Sequence, residues 1–220
     1  MERPLARPCS WHGARRCLPS IGVSATARYA IAALAIATWG THVMVMWRVH
    51  GGAPHELLWA CHVAPLLLVV GCAADRVALR SIAAIWTVLG APLWLGNLLL
   101  KGLSVGATPT LVHIGVLGLA LAAVRLGGFD PRAWWRGSLV LYALAAVTRL
   151  VPAAARDDVN LVFRVWPGLE PFFPSVAAFL VFVAGMVPLC SYLAGRLLAR
   201  LPRGHAGARA ATAASRMRPT

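Results

Sequence analysis

The chain has 220 residues, of which 59% are hydrophobic and 13% charged, and its mean hydropathy is +0.70. An ordinary soluble domain is about 25% charged, so this composition argues against a water-soluble globule and for a polytopic membrane protein of one domain. The net charge of +14 would suggest nucleic acid in a soluble protein. Here the arginines lie in loops and tails beside apolar runs, which favours membrane lipids with anionic headgroups and no nucleic acid.

Met1 to Ala27 is rich in Arg, Pro and Ser, lacks apolar periodicity and reads as a disordered basic arm. Arg15-Arg16 before an apolar run has the look of a twin-arginine signal. The run that follows is too long for a signal and is succeeded by further spans, so no cleavage is expected. Cys9, Cys17, Cys61, Cys72 and Cys190 are odd in number and lack paired metal spacing, which implies no disulfide framework and no zinc site.

Six apolar spans follow: Tyr29–Trp47, Leu57–Ala73, Ser81–Leu100, Pro109–Val124, Gly137–Ala155 and Phe172–Gly195. Each is near the ~20 residues needed to cross a ~30 Å hydrocarbon core, the second and fourth being short. Thr108-Pro109 reads as an N-cap and first-turn pair opening the fourth span. Pro92 beside Gly90 predicts a kink in the third span, and Pro188 one in the sixth. Residues 28–200 form the expected all-α six-helix transmembrane domain, and 201–220 an Arg-rich disordered tail.

Sixteen of the 21 basic residues fall on the side of the two termini and the second and fourth connections. Four, Arg48, Lys101, Arg156 and Arg164, fall on the other, and Arg149 lies inside the fifth span. The positive-inside rule therefore puts both termini in the cytoplasm, as in a multi-pass protein of a bacterial inner membrane.

This topology gives the polar residues of the spans a common depth. At 1.5 Å per residue, His42, His62, Asn97, His113 and Arg149 all fall roughly 4–10 Å from the outer boundary. Ionisable groups inside a membrane are costly and mark functional sites, so the five are expected to converge on one pocket in the outer half. His55, Trp59 and His62, spaced i, i+4, i+7, would form one helical stripe beside Cys61.

Three chemistries suit such a layer. In acyl transfer or lipid hydrolysis a histidine is the general base, Cys61 or a threonine such as Thr110 the nucleophile, and Asn97 or Arg149 the oxyanion stabiliser. Sequence neighbours on a helix do not face one another, so the base for Cys61 would be His113 or His42. The second is haem or metal ligation by His42, His62 and His113. The third is non-enzymatic transport or binding of an anion at Arg149, with His42 lining the substrate path. No cofactor is assigned by these residues.

Several short motifs bear a resemblance. They are Trp59-x-Cys61-His62, Asn97, Thr108-Pro109 with His113, Leu126 to Trp134 (LGGFDPRAW), and Asn160-Leu161-Val162-Phe163 before the Pro-rich stretch Pro167 to Pro174. Together they resemble an uncharacterised group of six-helix bacterial membrane proteins, itself similar to a broader family that contains a eukaryotic transmembrane phospholipid acyltransferase. The resemblance covers about Arg28 to Arg200. It implies a six-helix bundle and acyl transfer, with His62, His113 and Asn160 as site positions and Cys61 beside them. The broader family's His two residues before Cys is replaced here by Cys61 directly before His62, and its Asn-Tyr-like sequence by Asn160-Leu161.

Overall fold

The computed structural model of the chain describes residues 24–101 and 106–202. The arm up to residue 23 and the tail from residue 203 lie outside the described residues. Six long helices form the described bundle: α1 (Ala25–His50), α2 (Ala60–Ala73), α3 (Val77–Lys101), α4 (Ala107–Gly127), α5 (Ala133–Arg149) and α6 (Val176–Ala199). Four of them, α1, α3, α4 and α6, are long and apolar enough to cross a membrane. The protein is thus an all-α polytopic membrane protein.

The two shorter helices correct the sequence-based spans. The helix of the second span starts at Ala60, not Leu57, and has 14 residues. In the fifth span the helix covers 17 residues and ends at Arg149, with Pro152–Ala155 continuing only as a 3-10 turn. Proline before the next turn ends the α-hydrogen-bond ladder there, since it lacks an N–H. Pro65, Pro92 and Pro188 lie inside helices that continue through them.

Helix ends follow from local chemistry. Ser24 caps α1 by accepting from the Ala27 N–H at 3.2 Å, and Ser175 caps α6 from the Ala178 N–H at 3.2 Å. Gly51, at φ 62°, closes α1 in the left-handed conformation that a side chain would disfavour. Between α2 and α3 the turn is so tight that a Cβ on Gly71 would sit 2.8 Å from the Arg80 backbone nitrogen.

The core occupies one end of the bundle. Ala64, Leu68 and Cys72 of α2 meet Ile82, Ala83, Ala84, Ile85 and Trp86 of α3, Val116, Ala120 and Ala123 of α4, and Ala194 and Leu198 of α6. Small residues at these contacts let helix backbones approach closely, as bilayer packing requires. Antiparallel alternation brings the opposite ends together too: the end of α1, the start of α2, the end of α3 and the start of α4. The second end carries the histidines.

Candidate functional site

His42 reaches this end from α1, His62 from α2 and His113 from α4. The His42 and His62 rings stack, 5.2 Å between centroids and 14° from parallel. His113 stacks on Trp94 of α3 at 4.6 Å and 6°. His62 lies within electrostatic reach of both His42 and His113, and His113 within reach of His42. Three imidazoles on three helices therefore form one cluster.

Each imidazole is held differently. His113 sits in the middle of a π-helical stretch, Leu111–Gly115, a local widening often found at functional sites. Its Nδ1 lies 2.9 Å from the Pro109 carbonyl oxygen. A carbonyl only accepts, so Nδ1 carries the hydrogen and Nε2 of the neutral ring is the free base. His42 Nδ1 lies 3.2 Å from the Thr108 hydroxyl. His62 is 4% exposed, and its Nδ1 is buried with no hydrogen-bond partner. Leaving such a group unpaired costs about 1–3 kcal/mol, and an orphaned polar atom in a native structure calls for an explanation such as a ligand or a catalytic role.

The start of α2 is built from a distance. Trp59 breaks the chain, with φ −56° and ψ 134°, between the 3-10 turn Pro54–Leu58 and α2. The expected His55–Trp59–His62 stripe is therefore absent. His55 turns instead to Asp157, its Nε2 2.7 Å from the carboxylate. Pro54 opens the short turn, which Glu56 closes on the Ala53 N–H at 3.2 Å, and the helical path is broken at Trp59. The cap that Trp59 cannot provide comes from Asn160. Its Oδ1 accepts from the Ala60 N–H at 2.9 Å, while its Nδ2 donates to the Leu58 carbonyl at 2.8 Å and the Thr148 hydroxyl at 3.0 Å. Asn160 adopts φ 59°, a left-handed conformation that asparagine tolerates better than most residues. Its carboxamide is engaged on three sides and holds the 159–163 loop to α2.

Other expected members stand apart. Arg149, the last residue of α5 and exposed at its end, donates to the Val162 carbonyl at 2.5 Å and lies 5.6 Å from the centre of the Phe163 ring. Its guanidinium braces the same loop instead of facing the histidines. Asn97 is half-buried near the end of α3. Neither His62 nor His113 hydrogen-bonds the half-buried Cys61 thiol. Thr108 is not the expected N-cap: α4 begins at Ala107 after Gly106, without a side-chain cap, and the Thr108 hydroxyl meets His42. Thr110, the threonine named as a nucleophile, donates to the Gly106 carbonyl at 2.7 Å.

Among the described residues, no group of three or more His, Cys, Asp or Glu has an arrangement able to hold a metal ion. Stacked rings explain this for His42 and His62, because face-to-face imidazoles direct their nitrogen lone pairs along nearly parallel planes instead of at a common point. No local pattern signals the Trp94–His113 and Thr108–His42 contacts, which join different helices.

No family model matches this chain. No curated protein and no solved structure matches it either.

Proposed function

We propose that the protein is a membrane-embedded acyl-transfer enzyme acting on lipid esters, as a transferase or hydrolase, with His42, His62 and His113 as its acid–base centre. One observation carries this reading: the stacked His42 and His62 imidazoles lie beside the Thr108 hydroxyl, with His113 within electrostatic reach, while the buried Nδ1 of His62 lacks a partner. Acyl transfer needs proton movement between an attacking and a leaving oxygen, which imidazole performs near neutral pH. His113 can share in this proton movement, because its Pro109 hydrogen bond leaves Nε2 able to accept a proton.

A lipid substrate fits a site at one end of apolar helices, where acyl chains lie in the bilayer and ester groups near its boundary. The motif resemblance to the acyltransferase-containing family supports the same chemistry, and kinship with the six-helix bacterial group belongs to the proposal. So do six spans, both termini in the cytoplasm of a bacterial inner membrane, and anionic headgroups against the basic side. The sixteen-to-four division of basic residues supports that orientation.

The test is lipidomics of a deletion strain complemented with wild type, His62→Ala or His113→Ala. Acyl-chain composition should be restored by wild type and by neither variant. Restoration by both variants at equal protein level would remove the histidine cluster from the chemistry.

A further inference from the structure

Among the described residues, several hydroxyls of the bundle are committed to their own helices. Thr87 donates to the Ala83 and Ala84 carbonyls, Thr110 to Gly106, Ser138 to Trp134 and Thr148 to Leu144, each within one turn of its own helix. Back-bonding of this kind satisfies a hydroxyl in an apolar setting and makes it a poor nucleophile, since its proton is given to an amide oxygen that is not a base. Thr108 differs. Its hydroxyl lies 3.2 Å from an imidazole nitrogen, His42 Nδ1, 66 residues away in sequence.

We infer that Thr108 is the nucleophile of this site and carries the acyl group as an oxygen ester between the two halves of the reaction. The inference rests on the acyl-transfer reading and deepens it. A hydroxyl is a weak nucleophile at its own pKa and needs an adjacent base that a third group orients. His42 Nδ1 is that base, and the stacked His62 ring orients it. The tautomer required has Nδ1 unprotonated and the hydrogen on Nε2.

The first half-reaction forms a bond between Thr108 Oγ and the acyl carbonyl carbon and breaks the bond from that carbon to the lipid's alcohol oxygen. The Thr108 proton passes to His42 Nδ1 and from there to the departing alkoxide, releasing a lysolipid. In the second half a hydroxyl, from water or from another lysolipid, attacks the Thr108 ester carbonyl. Its proton passes through His42 to Thr108 Oγ, which is restored. No electron transfer is involved, and the acceptor hydroxyl alone decides between hydrolysis and transfer.

The experiment uses the full-length protein, purified and reconstituted into vesicles of phosphatidylethanolamine and phosphatidylglycerol with an isotope-labelled acyl chain. Turnover and acid-quenched label on the protein are followed for wild type, Thr108→Ser, Thr108→Cys and Thr108→Val, with thermal unfolding of each as a folding control. Thr108→Val keeps the shape of the side chain without its hydroxyl and should lose turnover by roughly a thousandfold with an unfolding temperature close to wild type. Thr108→Ser should retain turnover. Thr108→Cys should hold its label as a thioester, released by neutral hydroxylamine, where an oxygen ester on threonine resists it. Wild-type turnover in a folded Thr108→Val would overturn the inference and leave the acyl-transfer reading standing. Label on wild type that neutral hydroxylamine releases would overturn it in favour of Cys61. Absence of turnover from wild type and every variant would remove the inference together with the reading beneath it.

Discussion

The two ends of the bundle handle polar groups in opposite ways. At the core end, charges are paired and locked into short turns. Arg28 of α1 and Arg80 of α3 both reach Asp75 in the α2–α3 turn, at 2.5 and 2.9 Å, and Arg136 reaches Asp130 at 2.8 Å. The Ser81 hydroxyl accepts from the Asp130 N–H at 2.9 Å, tying the α4–α5 connection to α3. At the histidine end the imidazoles stack on one another and on Trp94, the helix of His113 widens, and a buried nitrogen lacks a partner. The first arrangement spends polar groups on holding helices together. Buried nitrogens without a hydrogen-bond partner occur at both ends, Arg28 Nε, Arg80 Nε and Trp86 Nε1 at the first and His62 Nδ1 at the second, so the contrast lies in paired charges against stacked rings. Real proteins depart from local consistency chiefly where function requires it.

If that division holds, the largest loss of stability comes from the core end. Arg80 is 2% exposed and its stem fills space between α2 and α3. Arg80→Ala should lower unfolding free energy by about 2–4 kcal/mol, mostly through lost packing. The ion pair itself adds little, because Asp75 is half-exposed and solvent screens it. Denaturant unfolding of the purified protein measures this. A change under about 0.5 kcal/mol would show that the core end is no more structural than the other.

Asn160→Ala comes next, and it sharpens the comparison from the histidine side. Three hydrogen bonds vanish, leaving the Ala60 N–H and the Leu58 carbonyl short of partners at the break before α2. A cost of about 2–3 kcal/mol is expected, with the loop around residues 159–163 exchanging amide hydrogens faster than the α2–α3 turn. Unchanged exchange there would mean that the carboxamide is not what holds the loop.

These two ends also differ in how readable they were. The helices and their order followed from long apolar runs, and the shared depth of His42, His62 and His113 followed from counting residues against the basic pattern. Chain length sets which end of the bundle a residue reaches, and the three histidines do come to one end. Which way each side chain turns is set by contacts between distant residues, which no local pattern encodes. Arg149 shares the depth but leans to Val162 and Phe163. Asn160, implied as a site position by resemblance, serves as the cap for a helix a hundred residues earlier. Thr108 looked like a cap and is bonded to His42. The i, i+4, i+7 spacing of His55, Trp59 and His62 carries no sign of the backbone break at Trp59.

His62→Leu separates stability from function most directly. The substitution removes a buried nitrogen that has no partner and puts an apolar group of similar size in a 4% exposed position. Stability should stay level or rise by up to ~1 kcal/mol, while lipid turnover is abolished. Residues kept for activity at a cost to stability behave in this way. A large loss of stability would instead make His62 a packing residue, and the two ends would no longer differ in kind.

The smallest effect is a pair of opposite pH responses, one from each end. At the core end the Arg28 and then the Arg80 guanidinium, by hydrogen bonding, hold the Asp75 carboxyl below its ordinary range. A carboxyl depressed in the fold contributes stability above its unfolded pKa, and that contribution is lost as pH falls through the folded value. In the loop at the histidine end, burial pushes the Asp158 carboxyl up, more than its bonds from the Phe163 and Arg164 N–H groups, at 2.7 and 3.1 Å, pull it down. A raised carboxyl penalises the fold above its folded pKa, and the penalty fades as pH drops toward the ordinary carboxylate range. Asp75→Asn should therefore destabilise the protein at neutral pH and converge with wild type in acid. Asp158→Asn should stabilise it slightly at neutral pH, since asparagine still accepts both N–H bonds and tolerates the φ of 48° found there, and should also converge in acid. Unfolding midpoints of both variants between neutral and strongly acidic pH read out the signs. Shifts of the same sign would mean that the two carboxylates experience the same kind of surroundings, and the electrostatic contrast between the ends would be gone.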